Sequence, residues 1–306
     1  MPDETIRGLS PRPGGVYIDG TLGSAGHASM VLRLAGPGGT LLGIDRDEEA
    51  LERAEKALAS VPGRKILVHG RHGDIAAIAA ANGIDRADGI LVDCGVSSDQ
   101  LDTPERGFSF MSDGPLDMRM DKSAGESAAD LIATRTADEI ERILREYGEE
   151  PRAHALAKAI VEARSKAPVA TTAQLAAIAE RTLGRRGAKN PATRAFQAFR
   201  MAVNGELEDL SRAIEDGLKL LRPGGRFAVI TFESLCDRIA KRRFAAHCVR
   251  RVSLPQGGER EEFEPPPARL VFKKALVPGE AEIAANPRAR SAKLRVAERM
   301  PGGEAA

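Results

Sequence analysis

The chain has 306 residues, 42% hydrophobic and 29% charged, which excludes a disordered polymer and allows a buried core without covalent staples. Basic and acidic residues nearly cancel, 45 against 44, so the net charge of +1 does not advertise a nucleic-acid binder. The longest apolar run, Ile75–Ala81, falls far short of the roughly 20 residues of a membrane span. Cys94, Cys236 and Cys248 lack the C-x-x-C spacing of a zinc site or disulfide framework. No basic head followed by an apolar core opens the sequence, so no export signal is expected and the cytoplasm is the predicted compartment.

Residues 16–19 (VYID) read as a short buried strand, followed by a turn with Gly20, Gly23 and Gly26 and a helix over 27–34. A second strand is predicted at 40–45 (TLLGID). Asp47 then suits the N-cap of a helix over 48–59, with Glu48 and Glu49 at its positive end. A third strand at 65–69, a helix at 75–81 and a fourth strand at 89–93 (GILVD) continue the alternation. That rhythm implies an open parallel sheet with right-handed crossovers. Residues 94–122 show little periodicity and read as a long functional loop. From 124 to 202 nearly everything reads as helix, with segments near 137–147, 152–166, 172–183 and 191–203. An amphipathic helix over 206–221 is stopped by Arg222-Pro223-Gly224-Gly225. A fifth strand at 226–232, a basic helix at 234–247 and strands at 249–254 and 268–273 complete the pattern. The simplest account is an α/β domain split by a helical insertion.

Glycines after a first strand let a ligand approach the backbone and open a helix with free N–H groups. Asp45 ends the second strand, where an acid grips ribose hydroxyls, and Asp93 ends the fourth. Together they predict a nucleoside-containing cofactor at the carboxyl edge of the sheet. The glycine spacing is not the G-x-G-x-x-G of a dinucleotide site and suits S-adenosylmethionine, which has no pyrophosphate to cradle. A nicotinamide-dependent oxidoreductase rests on the strand–glycine–acid pattern alone. Two stretches are locally basic: 238–251, with Arg238, Lys241, Arg242 and Arg243, and 286–299, with Arg288, Arg290, Lys293 and Arg295. Each reads either as a solvated face or as a phosphate-binding one.

The run Asp93-x-Gly95-Val96-Ser97-Ser98-x-Gln100-Leu101-Asp102 is followed by Arg106-Gly107-Phe108-Ser109-Phe110 and by Gly114-Pro115-Leu116-Asp117-Met118-Arg119-Met120-Asp121. Further along stand Tyr147-Gly148-Glu149-Glu150, Asn190-Pro191-Ala192-Thr193-Arg194 and Asn286-Pro287-Arg288-x-Arg290-Ser291. In this order, over nearly the whole chain, they resemble the MraW-type family of S-adenosylmethionine-dependent methyltransferases, which modify N4 of a cytidine in small-subunit (16S) ribosomal RNA.

The resemblance implies an α/β class I methyltransferase (Rossmann-like) fold with a mostly parallel sheet. Residues 1–122 and 203–306 would form the cofactor-binding domain, and 123–202 an inserted all-helical domain for substrate recognition. The implied cofactor contacts are Ala25, Gly26, His27, Asp45, His72, Asp93 and Gln100. His27 otherwise only opens its helix, and His72 either packs on adenine or faces solvent. Because the cytosine N4 lone pair is delocalised, the amine needs in-line positioning and an acceptor for its hydrogens. Asp93 and the backbone around Ser97 and Ser98 are the candidates. Phe108, Phe110 and Arg119 would flank an unstacked base, the two phenylalanines serving equally as core plugs. Arg194, Arg242 and Arg290 would meet phosphates. The implied partner is 16S ribosomal RNA within the small subunit, with no membrane and no metal, and a homodimer is left open. This chain has Ser24 and Ala25 where the family has glycines, His72 for phenylalanine, Cys94 for leucine, and Glu233 and Cys236 for histidine and glutamate. The last two changes predict slow turnover on an intact cofactor site. A second reading follows from them, an RNA-binding or ribosome-assembly protein that keeps the fold without the activity.

Overall fold

The computed structural model describes residues 1–184, 190–248, 250–253, 256, 259–262 and 267–301. They form two compact units, one of residues Met1–Gly95 with Leu207–Ala306, the other of Val96–Glu206. No helix among the described residues is long and apolar enough to cross a membrane.

The first unit is built on a seven-stranded sheet. Five parallel strands are β1 (Val16–Asp19), β2 (Thr40–Asp45), β3 (Arg64–His69), β4 (Ala87–Asp93) and β5 (Leu221–Thr231). A separate antiparallel hairpin pairs β6 (Arg250–Ser253) with β7 (Glu259–Glu262). The main sheet is completed by β8 (Ala268–Leu270) and β9 (Lys293–Arg299), in the order β3-β2-β1-β4-β5-β9-β8. β9 runs antiparallel to both of its neighbours. This is the class I methyltransferase architecture. The chain moves outward from β1 to β3 and then returns to β4 on the other side of β1. That reversal opens a crevice at the carboxyl ends of β1 and β4, the usual ligand position in such sheets.

The strands form where hydrophobic runs are bounded by turn residues, and Ile18, Leu41, Leu42, Ile44, Ile90 and Val92 are almost fully buried. Asp47 caps the helix Glu48–Leu58, its carboxylate accepting the Glu49 N–H at 3.1 Å. The Arg222–Gly225 segment expected to end a helix lies within β5. There it bulges, since the pairing with β4 jumps from Ala87↔Leu221 to Gly89↔Arg226.

Three elements differ from the sequence expectation. Residues Pro2–Leu9 form a helix, with proline in the first turn, Asp3 and Glu4 at its positive end and Arg7 in its last turn. The basic segment 286–299 ends in β9, not in a solvated tail. Leu294, Val296 and Ala297 are buried, while Lys293 and Arg295 point outward to the Asp237 carboxylate at 3.1 and 2.7 Å. The expected strand over 268–273 shrinks to β8. Of the one expected over 249–254, Val249 and Leu254 lie outside the described residues.

The second unit is helical: Ala128–Thr134, Ala137–Glu146, Ala153–Arg164, Thr172–Leu183 and Ala192–Asn204. Four of its helix starts, counting the short Ser98–Asp102, carry reciprocal capping boxes built on Ser97, Ser127, Thr136 and Thr171. Phe108, Leu116, Met118 and Met120 from the long loop pack into the same core as Ile140, Leu156 and Phe199. The unit therefore starts at residue 96 rather than 123, because the apolar side chains of the loop find their burial among its helices.

Two buried polar side chains hold that loop. Arg106 donates to the Met120 carbonyl at 2.9 Å. Asn204 accepts the Met120 N–H at 2.9 Å and donates to the Met118 carbonyl at 2.8 Å, fixing Met118 in a left-handed conformation (φ 62°). Asn204→Ala leaves both backbone groups unpaired, at about 1–3 kcal/mol each. A loss of at least about 2 kcal/mol in urea unfolding is expected, and an unchanged midpoint would show that the loop does not depend on this clamp.

Candidate active site

Asp19, Asp45 and Asp93 end β1, β2 and β4, three neighbouring strands, so their carboxylates share one edge of the sheet. The turn after β1 is tied to that edge. The Gly20 N–H donates to the Leu91 carbonyl at 2.8 Å, and Gly20 itself is confined. A Cβ there would lie 3.0 Å from His72 Cβ and 3.1 Å from Val92 Cγ2. Thr21 donates its N–H to Asp19 at 3.1 Å, and its hydroxyl oxygen accepts the Asp93 N–H at 2.6 Å. Asp45 accepts the Gly23 N–H at 2.8 Å and the Asp47 N–H at 2.9 Å, one on each oxygen. Those two bonds fix the carboxylate and leave lone pairs on both oxygens.

Ala25 stands just before the helix Gly26–Ala35 with φ 60°, a left-handed conformation that an L side chain adopts at a cost of about 1–2 kcal/mol. A glycine would adopt it without that cost, which accounts for the residue type the family pattern has there. A Cβ at Gly23 or Gly26 would meet open space, so the turn faces room for a ligand.

Electrostatically the edge is unusual. Asp19 is buried, and loss of hydration pushes its pKa up to about 7 against the Thr21 N–H, which favours the ion. Burial lifts Asp93 to about 7 as well. Asp45 is raised by the same cause, partly offset by its two N–H donors. The two histidines are shifted the opposite way. Burial lowers His72 to about 3 and His27 to about 4, so both are neutral at pH 7. His27 Nδ1 lies 3.8 Å from Asp93 Oδ2, too long for a hydrogen bond. Asp93 Oδ1, His27 Nε2 and His72 Nε2 are buried without a hydrogen-bond partner among the described residues.

Buried polar atoms left in this state mark a place for a ligand. Their chemistry fits S-adenosylmethionine: carboxylates for a cation, lone pairs on Asp45 for ribose hydroxyls, and a neutral ring at His72 for adenine. The structure thus brings Ala25, Gly26, His27, Asp45, His72 and Asp93 to one strand edge, and His72 is buried rather than facing solvent. Asp19 was not singled out from the sequence as a site residue. The signal was available in the aspartate that ends β1, a strand-end position that Asp45 and Asp93 share on the neighbouring strands.

The other expected site residues belong to the helical unit or to the surface. Ser97 Oγ accepts the Gln100 N–H and Gln100 Oε1 accepts the Ser97 N–H, both at 3.1 Å, so this pair caps the helix Ser98–Asp102; Ser98 is exposed. Phe108 is buried, and Phe110 meets the Phe196 ring edge-on with centroids 5.0 Å apart; both are core plugs. Arg119 makes a fork with Asp117 at 2.7 and 2.9 Å, a loop clip rather than an unengaged stacking plane. Arg194 is exposed and 3.6 Å from Glu150, while Arg242 and Arg290 are exposed. Arg243 pairs with Glu215 at 2.9 Å and Arg295 with Asp237. Glu233 occupies the N-cap position of the helix Ser234–His247, and Cys236 is buried on that helix.

The profile of the MraW methylase family matches residues 1–300. Among similar curated proteins, the ribosomal RNA small subunit methyltransferase H of Citrifermentans bemidjiense is 48% identical over 308 residues, covering 98% of this chain and 97% of its own. That of Geobacter sulfurreducens is 48% identical over 309 residues, with the same coverage. The protein of that name from Thermomicrobium roseum is 47% identical over 298 residues, covering 95% of this chain and 90% of its own. Matched by the profile over residues 1–300, with a strand edge whose acids and neutral histidines suit the cofactor, the chain belongs to the MraW methylase family.

Proposed function

We propose that this chain transfers a methyl group from S-adenosylmethionine to N4 of a cytidine in small-subunit (16S) ribosomal RNA. The observation that carries the reading is the row of three carboxylates beside two neutral histidines at the edge of the sheet, in a chain of this family. The cofactor supplies an electrophilic methyl on a cationic sulfur. Asp45 binds the ribose hydroxyls, and the buried His72 ring packs against adenine. His27, neutral and close to Asp93, helps to orient that carboxylate or the methionine end. As the N4 amine attacks, positive charge develops on nitrogen. Asp93 Oδ1 has no other hydrogen-bond partner among the described residues and accepts the amine hydrogen. A pKa near 7 suits an acceptor that must take a proton and release it at neutral pH.

The helical unit, with its loop fixed by Arg106 and Asn204, presents one set of RNA-recognition residues, and the first unit presents Arg242 and Arg290. Arg242 and Arg290 are the strongest phosphate contacts of those named from the sequence, because Arg243 and Arg295 are engaged by acidic side chains. The most direct test of the reading is methylation of isolated small subunits and of naked RNA by the purified protein, followed by nucleoside analysis. N4-methylcytidine is the expected product. Cofactor binding without any methyl incorporation would instead support the assembly-protein reading.

RNA affinity carries a second expectation. Changing Arg242 and Arg290 together to glutamine should flatten the log–log salt dependence by about 0.7 per lost single-strand contact. An unchanged slope in filter-binding titrations would reduce both residues to a solvated surface.

The raised carboxylates make a third. At about pH 6.5, groups with pKa values near 7 hold protons much of the time, and a cation beside them favours the ionised form. Binding of S-adenosylmethionine at that pH should release protons, seen as a binding enthalpy that varies with the ionisation enthalpy of the buffer. The variation should fade at about pH 9, where both acids are already ionised, and shrink in Asp93→Asn. An enthalpy independent of buffer at about pH 6.5 would contradict placing the positive charge of the cofactor beside these acids.

A further inference from the structure

Asp209 lies on the helix Glu206–Leu220 with a fully buried side chain, and three arginines converge on it. Its Oδ2 accepts from Arg46 Nη2 at 2.5 Å and from Arg71 Nε at 2.8 Å; its Oδ1 accepts from Arg212 Nη2 at 2.9 Å. Arg212 reaches on to Asp74 at 3.2 Å. Two of these arginines occupy telling positions. Arg46 is the residue after Asp45, at the end of β2, and Arg71 is the residue before His72, just beyond β3. The turn His72–Asp74 sits directly on the carboxylate, since a Cβ on Gly73 would fall 2.5 Å from Asp209 Oδ1 and 2.8 Å from Arg212 Nη2. The chain at Arg46 is tied to β3 a second time, its carbonyl lying 2.9 Å from His69 Nε2.

We propose that Asp209 is a positioning residue for the adenosine half of the cofactor: one buried carboxylate, gripping Arg46 and Arg71, sets the distance between the ribose acid Asp45 and the adenine-side ring His72. The proposal rests on the cofactor-site reading above and assigns Asp209 no contact with the cofactor. The ladder between β2 and β3 ends at Asp45, paired with His69 and its carbonyl accepting the Gly70 N–H at 2.9 Å. Beyond it the two chains are locked together through charge-assisted hydrogen bonds in a poorly hydrated place, where such bonds are short and directional. The three guanidiniums keep Asp209 ionised, overcoming the effect of its burial. An amide at this position would be uncharged and would turn its NH2 group toward one of the donors.

The test is Asp209→Asn, with calorimetric affinities for S-adenosylmethionine and for adenosine alone. The dissociation constant is expected to rise at least about tenfold for S-adenosylmethionine, with the same proportional loss for adenosine. At saturating cofactor, kcat and the KM for RNA should stay within about twofold of the parent. Should Asp209→Asn fail to fold, Arg71→Gln, which alters a half-exposed partner, is expected to give a smaller loss of the same kind. Asp45→Ala is the control arm. If Asp45→Ala leaves affinity unchanged, the site reading itself fails. If Asp45→Ala weakens binding while Asp209→Asn or Arg71→Gln leaves both affinities within about twofold, the positioning role is overturned. A loss confined to kcat, or to the methionine half and absent with adenosine, overturns it equally.

Discussion

Three carboxylates end three neighbouring parallel strands, and the protein around them strips away much of their hydration. A parallel sheet forces this arrangement once acids occupy the carboxyl ends of β1, β2 and β4, because those ends lie side by side. Arg46 near Asp45 and the N-terminal ammonium near Asp93 favour ionisation, but burial outweighs them, and Asp19 and Asp93 settle near pKa 7 instead of ionising fully. An edge whose acids stay partly protonated is matched to a ligand that brings a positive charge of its own. The glycine turn, the left-handed Ala25 and the neutral histidines all make sense around that requirement.

Immediately beside this edge, the opposite arrangement holds the frame. Asp209 is as buried as Asp19 but faces three guanidiniums, and its pKa is lowered rather than raised. One cluster is an ionic knot that fixes loop ends; the other leaves Asp93 Oδ1 buried without a hydrogen-bond partner among the described residues. In the helical unit the same division of labour recurs without ligands, since Arg106 and Asn204 spend their hydrogen bonds on the backbone of the Asp117–Asp121 loop. Rigid scaffolding and reactive groups are thus kept on separate residues.

Much of the sheet was legible because VYID, TLLGID and GILVD are short apolar runs bounded by glycine or aspartate, and each became a strand with its acid at the end. β9 was not, because KLRVAER mixes charge with alternating apolar residues and reads as a basic tail until β5 and β8 supply its two edges. The long loop looked structureless because its apolar residues follow neither helical nor strand period; they are spaced to fill a core made by distant helices. Asp45, His27 and Asp93 were expected from the strand–glycine–acid pattern and the family motif, and the structure gathers them at one strand edge. Asp209 had no such signal. It is one acid among several on an amphipathic helix, and its partners Arg46 and Arg71 lie 163 and 138 residues away. Arg119 misled for a related reason, since sequence alone does not show that Asp117 folds back to take its guanidinium.

The central claim is that the strand edge itself is the cofactor site, with the methyl donor pointed at Asp93. A crystal structure of the protein with S-adenosylmethionine bound tests it most directly. The account predicts ribose hydroxyls hydrogen-bonded to Asp45, adenine against the His72 ring, and the sulfonium methyl directed toward Asp93. A nucleoside bound elsewhere, or one seated at this edge with its ribose turned away from Asp45, would contradict it.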